Sequence, residues 1–227
     1  MKFAFRVDSS YQIGSGHLMK CITLAKALKD KNIESIFISI KNKDDMSSLI
    51  KKNNFKILNI NNKKKDKKNS FSWNFDAEET QKKIKDEKIS HLIVDHYEID
   101  EKWEKYLYKD LKKLIVIDDL ADRRHFCDTL LDYSLPIKNY LKLVPSHTEI
   151  LAGPKFALLD RSFIKERKKA KQQKENLKNK KLTFYVSFGA SDFTQETEKT
   201  LMALKKLGNS LSFKANIIVG QNNKQKK

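Results

Sequence analysis

The strongest constraint on the fold is a short, largely apolar segment that leads into a glycine-containing loop and then into a helix. Phe3–Val7 has the composition of a buried strand, Gly14 and Gly16 follow it, and His17 opens a stretch with helical spacing. Glycine adopts backbone angles that other residues avoid, so the loop can turn tightly and let a ligand approach main-chain N–H groups. The pattern predicts a strand–loop–helix unit whose helix N-terminus suits a diphosphate.

His17 stands in the first turn of this predicted helix. A helix N-terminus carries partial positive charge, so we expect an uncharged imidazole there, able to act as a general base. The dinucleotide-binding fingerprint is absent, because Met19 stands where its third glycine would be. The spacing alone leaves two interpretations open: a catalytic histidine, or a polar residue at a helix start without a chemical role.

Apolar runs and helical segments alternate along the first 120 residues, which is typical of a parallel sheet covered by helices on both faces. The predicted strands are Phe3–Val7, Ser35–Ile40, Lys56–Ile60, His91–Asp95 and Leu114–Asp118. Ligands bind such sheets beyond the carboxyl ends of the strands. We therefore expect three polar clusters to share one rim: Gly14–His17, Asp95–Tyr97 and Asp118–Asp122.

The predicted domains are an N-terminal Rossmann-like domain at 1–150, a lysine-rich connector at 151–180, and the start of a second α/β domain at 181–227. This last segment has its own strand-to-helix loop, Gly189–Asp192, in which Asp192 can cap the helix. One strand–helix–strand unit is too small to bury a core unaided. We therefore expect an incomplete second domain, which a second polypeptide can complete.

The net charge of +18 raises the question of nucleic-acid binding, but only five of the 47 basic residues are arginine, the residue that reads bases and grips phosphates best. No run is long enough for a membrane span, and the N-terminus lacks the apolar stretch of a signal peptide. The two cysteines and five histidines show no metal-ligand spacing. We expect a cytoplasmic protein with no nucleic-acid or membrane partner, no metal and no cofactor.

Six sequence blocks, in order, resemble a bacterial family of nucleotide-sugar hydrolases, the UDP-2,4-diacetamido-2,4,6-trideoxy-β-L-altropyranose hydrolases of pseudaminic acid biosynthesis. The blocks are FRVDSS-x-QIGSGHLMKC at 5–21, IVDHY at 93–97, VIDDLADR at 116–123, CD and LLD at 127–132, GPKFALL at 153–159, and VSFGASD at 186–192.

The resemblance implies a two-domain Rossmann-like nucleotide-sugar fold of the glycosyltransferase-B type, here with an incomplete second domain. It implies that water displaces UDP from the anomeric carbon with inversion, so that the partner is a UDP-sugar. It further implies His17 and Tyr97 as catalytic residues. The implied substrate-binding residues are Gly14, Ser15, Gly16, Asp95, His96, Asp118, Gly189, Ala190, Ser191 and Asp192. The alternative role of Asp95 is to orient His17, and the alternative role of Asp118 is to cap a helix.

Two departures from the family pattern affect these expectations. Ala190 replaces a glycine common in the family motif, and the family's downstream segment that holds uridine has no counterpart here, so we expect weak or no activity from this chain alone. Arg6 and Asp8 are expected to form an ion pair that fixes the first loop. The alternatives are a glycosyltransferase of the same architecture, a basic binding protein, or an inactive fragment.

Overall fold

The computed structural model describes residues 1–10, 14–42, 45–61, 71–174, 182–189, 192, 194–220 and 223. These residues form two compact units. The first consists of Met1–Ser9 and Gly16–Leu158, and the second consists of the described parts of Ser10–Ser15 and Leu159–Lys227. No helix in these ranges is long and apolar enough to cross a membrane.

A seven-stranded parallel sheet forms the centre of the first unit. Its spatial order is β3-β2-β1-β4-β5-β6-β7, and every neighbouring pair is parallel. The predicted α/β fold class is therefore confirmed. The strands are β1 (Lys2–Val7), β2 (Glu34–Ile40), β3 (Lys56–Ile60), β4 (His91–Asp95), β5 (Lys113–Ile117), β6 (Thr129–Asp132) and β7 (Glu149–Ala152).

Helices cover both faces of this sheet because the strands are apolar on both sides. One core contains Ile84 and Trp103, and the other contains Ile22 and Ile50. Cys21 is fully buried on the inner face of its helix. The helices of the first unit are α1 (Gly16–Lys29), α2 (Ser47–Lys52), α3 (Trp73–Asp86) and α4 (Glu101–Tyr108); a short 3-10 turn, Pro154–Phe156, follows β7.

Two strands of the sheet, β6 and β7, were not predicted. Each has four residues, which is too short for an alternating or continuous apolar pattern to stand out from loop sequence. The fifth strand ends at Ile117, one residue earlier than expected. Asp118 therefore lies in the turn beyond the sheet.

The second unit contains the parallel strand pair β8 (Leu182–Ser187) and β9 (Phe213–Ile218), with α5 (Ser162–Lys174) before it and α6 (Glu196–Leu207) within it. Asp192 caps α6, because its carboxylate accepts hydrogen bonds from the main-chain N–H groups of Glu196 at 2.8 Å and Thr197 at 3.0 Å. The predicted capping role of Asp192 is confirmed.

Candidate active site

The centre of the candidate site is a histidine–carboxylate pair at the ends of two neighbouring strands. Val7 is in register with Asp95 across β1 and β4, so groups that follow β1 meet the end of β4. His17, in the first turn of α1, places Nδ1 2.5 Å from Asp95 Oδ1. A carboxylate only accepts hydrogen bonds, so Nδ1 carries a proton, and in the uncharged ring Nε2 presents a lone pair.

The two ring nitrogens of His17 have different surroundings. Among the described residues only Nδ1 has a hydrogen-bond partner, and 10% of the side chain is exposed. Tyr97 packs edge-on against the imidazole, with ring centroids 4.5 Å apart and planes at 88°. Because 45% of Tyr97 is exposed, the pair stands at the surface. This arrangement holds the imidazole in one orientation and leaves Nε2 available for proton transfer.

Lys20 binds the other oxygen of the same carboxylate. Its Nζ lies 3.3 Å from Asp95 Oδ2 and 5.6 Å from the centre of the Tyr133 ring. Burial alone would lower the pKa of Lys20, but the charge of Asp95 and the contact with Tyr133 raise it above its ordinary value. Lys20 therefore remains an ammonium group at neutral pH.

Asp119 adds a second carboxylate to this cluster. Burial raises the pKa of Tyr97, and the charge and hydrogen bond of Asp119 raise it further. One oxygen of Asp119, Oδ1, is buried without a hydrogen-bond partner in the described part of the chain. The cluster around Asp95 and Tyr97 therefore contains two acidic side chains, Asp95 and Asp119, and one basic side chain, Lys20.

A second histidine–carboxylate pair lies at the ends of the same two strands, with the roles exchanged. His96, which follows β4, places Nε2 3.0 Å from Asp8 Oδ2, which follows β1. The main-chain N–H of Glu98 donates to His96 Nδ1 at 3.1 Å. Both ring nitrogens are thus engaged within the protein, and this histidine has no lone pair left for a substrate.

The second pair continues into a buried ion network. Arg6 is fully buried and lies between Asp8 at 2.7 Å and Asp76 at 2.6 Å, which confirms the predicted ion pair of Arg6 with Asp8. Burial alone would raise the pKa of Asp8, but the Arg6 guanidinium and the His96 contact hold it well below its usual range. Trp103 Nε1 donates to Asp76 at 2.9 Å. The network joins α3 to the end of β1.

Asp118, predicted to bind substrate, is held inside the first unit. Its carboxylate contacts Arg123 at 2.9 Å and accepts from the Tyr140 hydroxyl at 3.1 Å and from the Ala121 N–H at 2.8 Å. Burial alone would raise the pKa of Asp118, but hydrogen bonds and Arg123 lower it. Because the carboxylate of Asp118 is fully buried, these contacts favour a structural role for Asp118, which is to hold the loop after β5.

The other predicted binding residues are dispersed. Gly14 has a φ of 83°, which favours glycine, and its N–H donates to Ser10 O at 2.8 Å. Gly14 and Ser15 belong to the second unit, whereas Gly16 opens α1 in the first. Gly189, which follows β8, also has a positive φ, 75°. Two further predicted residues, Ala190 and Ser191, lie outside the described residues. Among the residues that the structure does describe, no cluster of His, Cys, Asp and Glu is arranged to hold a metal ion.

The sequence motifs identified neither Lys20 nor Tyr133 as part of this cluster. Lys20 lies three positions after His17, so helical periodicity alone places both on one face of α1. Tyr133 directly follows β6, and its position at the rim became visible only with that strand.

No family model matches the chain. An uncharacterized protein of Methanocaldococcus jannaschii is 26% identical over 225 residues, which are 97% of this chain and 43% of that protein. A UDP-2,4-diacetamido-2,4,6-trideoxy-beta-L-altropyranose hydrolase of Campylobacter jejuni is 30% identical over 198 residues, 85% of this chain and 61% of the hydrolase. The chain thus spans about half the length of these curated relatives.

Two solved structures share the fold. MurG of Acinetobacter baumannii superposes with a TM-score of 0.61 at 13% identity, over 97% of this chain and 60% of that one. A glycosyltransferase from Rickettsia africae gives a TM-score of 0.54 at 13% identity, over 98% of this chain and 69% of that one. The chain has the Rossmann-like α/β fold of these proteins and is related in sequence, at low identity, to a nucleotide-sugar hydrolase.

Proposed function

We propose that this chain carries the catalytic groups of an enzyme that hydrolyses a UDP-linked 2,4-diacetamido-2,4,6-trideoxyhexose to UDP and the free sugar. The observation that carries the proposal is the His17–Asp95 pair, in which a carboxylate fixes one ring nitrogen and the other has no hydrogen-bond partner among the residues that the structure describes. The sequence similarity to the Campylobacter jejuni hydrolase supports the substrate class.

In the proposed reaction, His17 Nε2 accepts a proton from a water molecule as the water oxygen attacks the anomeric carbon. The bond from that carbon to the diphosphate oxygen breaks, its electron pair leaves with UDP, and the sugar is released with inverted configuration. Asp95 stabilises the imidazolium that forms. General-base assistance of this kind contributes about 10²- to 10⁴-fold to the rate.

The charge distribution supports assigning this cluster to the sugar. Glycoside cleavage passes through a transition state with positive charge on the sugar ring, and the two carboxylates, Asp95 and Asp119, favour positive charge nearby. A diphosphate would be repelled by the same groups. We therefore assign the diphosphate to the main-chain N–H groups at the start of α1, which are suited to anions.

Tyr97 is assigned to the sugar or to the attacking water. Its ring is half exposed, and its edge-on contact fixes the position of His17. An aromatic ring at a wet surface offers an apolar face and a hydroxyl in one side chain, a combination that suits a deoxy-sugar with acetamido groups.

The proposal is tested under single-turnover conditions, with the protein in excess over UDP-2,4-diacetamido-2,4,6-trideoxy-β-L-altropyranose. We expect slow release of UDP and free sugar by the wild-type chain, in line with the weak activity expected of this chain alone, and the same rate for the control variant His91→Gln, altered at the far end of β4. We expect His17→Gln to release them about 10²- to 10⁴-fold more slowly. Equal rates for His17→Gln and the control, or no substrate binding by the wild type, would contradict the proposal.

A glycosyltransferase is the second candidate, because the fold is shared with the Rickettsia africae glycosyltransferase. A transferase releases UDP only when an acceptor receives the sugar. UDP release without any acceptor other than water, with free sugar formed in equal amount, distinguishes the hydrolase from this alternative.

A further inference from the structure

We propose that Lys20 is a positioning residue that holds the carboxylate of Asp95 and disfavours the imidazolium form of His17. This inference rests on the proposed function, because it explains how the imidazole remains able to accept a proton. Neither the sequence motifs nor the similar proteins assign a role to Lys20.

The carboxylate of Asp95 is shared between His17 and Lys20, and the Cys21 thiol also donates to Oδ2, with Sγ 3.9 Å away. Asp95 Oδ1 contacts His17 Nδ1 at 2.5 Å, and Oδ2 contacts Lys20 Nζ at 3.3 Å. Asp95 is 2% exposed, so water contributes little to solvating its charge. Each of the two oxygens therefore depends on its protein partner, and Lys20 fixes the plane of the carboxylate that orients the imidazole.

The electrostatic consequence follows from the signs of the charges. A carboxylate that faced only His17 would favour the imidazolium form, which has no lone pair and cannot act as a base. An ammonium group on the same carboxylate offsets that charge and itself disfavours a second cation nearby. Lys20 thereby allows Asp95 to orient the ring without also charging it.

The other groups around His17 do not replace Lys20. Burial raises the pKa of Cys21 and of Tyr133, and both remain neutral at pH 7. Asp95 and Tyr97, at the end of β4, contact the imidazole directly. Lys20 and Cys21 on α1 contact Asp95, Asp119 after β5 interacts with Tyr97, and Tyr133 after β6 interacts with Lys20. Within this described cluster Lys20 is the one cation.

The experiment follows the ring nitrogens of His17 by 15N NMR as the pH is lowered, with the signals assigned by their loss in His17→Gln. In Lys20→Met we expect the imidazolium to appear about one pH unit higher than in the wild type. Lys20→Arg retains the charge and is expected to restore the wild-type behaviour. Lys26→Met removes an exposed lysine from the same helix and is the matched control.

An unchanged titration in Lys20→Met would overturn the inference, as would an equal change in Lys26→Met. If Lys20→Met does not fold, Lys20→Gln provides the same comparison with a polar side chain. This readout requires no turnover, so a failed hydrolysis assay leaves it decisive. Where hydrolysis is measurable, we expect the acidic limb of its pH profile to move upward in Lys20→Met, with little change in the alkaline region.

Discussion

The two histidine–carboxylate pairs at the ends of β1 and β4 are built from the same parts but differ in what remains available. His17 follows β1 and is held by Asp95 of β4, whereas His96 follows β4 and is held by Asp8 after β1. His96 engages both ring nitrogens, and Asp8 has a buried arginine beside it. His17 engages one nitrogen within the described part of the chain and stands beside a half-exposed tyrosine.

This difference separates structural from chemical roles more clearly than residue type does. A buried polar group contributes to a fold when all its hydrogen-bonding capacity is satisfied within the protein. A group suited to catalysis is held firmly at one atom and left unengaged at another. By this criterion the pair of His17 belongs to the candidate site, and the pair of His96 belongs to the scaffold behind it.

The largest expected effect is on the rate of hydrolysis, when the His17–Asp95 pair is altered. We predict that His17→Gln lowers the single-turnover rate of UDP-sugar hydrolysis by about 10²- to 10⁴-fold, because the proton acceptor is lost. The urea midpoint of unfolding is expected to stay near that of the wild type, since the glutamine amide can still donate a hydrogen bond to the buried carboxylate of Asp95. A large loss of stability in this variant would remove the distinction between the two pairs.

On the structural side, we predict that Asp8→Asn lowers the free energy of unfolding by about 3 kcal/mol, because Arg6 is left in the interior with one charged partner fewer. Urea unfolding of the wild type and the variant measures the difference. Asp122→Asn is the control, because its exposed pair with Arg123 is worth about 1 kcal/mol or less. Similar losses in both variants would contradict a structural role specific to the buried network.

A third buried histidine–carboxylate pair, His125 with Glu104, extends the comparison to the pH dependence of stability. Burial alone would lower the pKa of His125, but the Asp118 carboxylate, 3.8 Å from Nε2, and the hydrogen bond to Glu104 raise it to about 9. A histidine whose pKa is raised by folding stabilises the folded state fully below its unfolded value, about 6.5, and this contribution is lost as pH rises through about 9.

We therefore predict that the free energy of unfolding falls by about 2 kcal/mol between pH 6.5 and pH 9, and that His125→Gln removes most of this dependence. Urea unfolding at three pH values measures it. A dependence of the same size in His125→Gln would assign the effect to other groups.

The smallest expected effect concerns the contact between Tyr97 and its neighbours. We predict that Tyr97→Phe lowers the hydrolysis rate by about tenfold, the loss expected from one hydrogen bond, because the ring and its packing on His17 are retained. Tyr97→Ala also removes the packing and is expected to lose more. Equal rates for the two variants would mean that the ring does not position the imidazole.

Sequence periodicity predicted the frame of the molecule because its determinants are local. The bounds of β3 and β4 match the predicted strands, and the rule that ligands bind beyond strand ends placed His17 and Asp95 on one rim. The short strands β6 and β7 were missed because four residues do not form a recognisable apolar pattern.

The fates of individual polar residues were harder to predict because their partners lie far along the chain. Asp118 resembles Asp95 in sequence, a carboxylate at a strand end, but Tyr140, 22 positions later, covers it. The ion pair of Arg6 with Asp8 was predictable because the two residues are only two positions apart in the sequence. The second ion pair of Arg6, with Asp76, was not predictable because Asp76 lies 70 positions away.

The most direct test of the account is a titration of protein carrying 15N-labelled histidine with the UDP-linked diacetamido-sugar. We predict a change at His17 Nε2 as substrate binds, with Nδ1 still protonated against Asp95 and the His96 signals unchanged. A response at His96 with none at His17 would contradict the claim that the unengaged nitrogen of His17 faces the substrate.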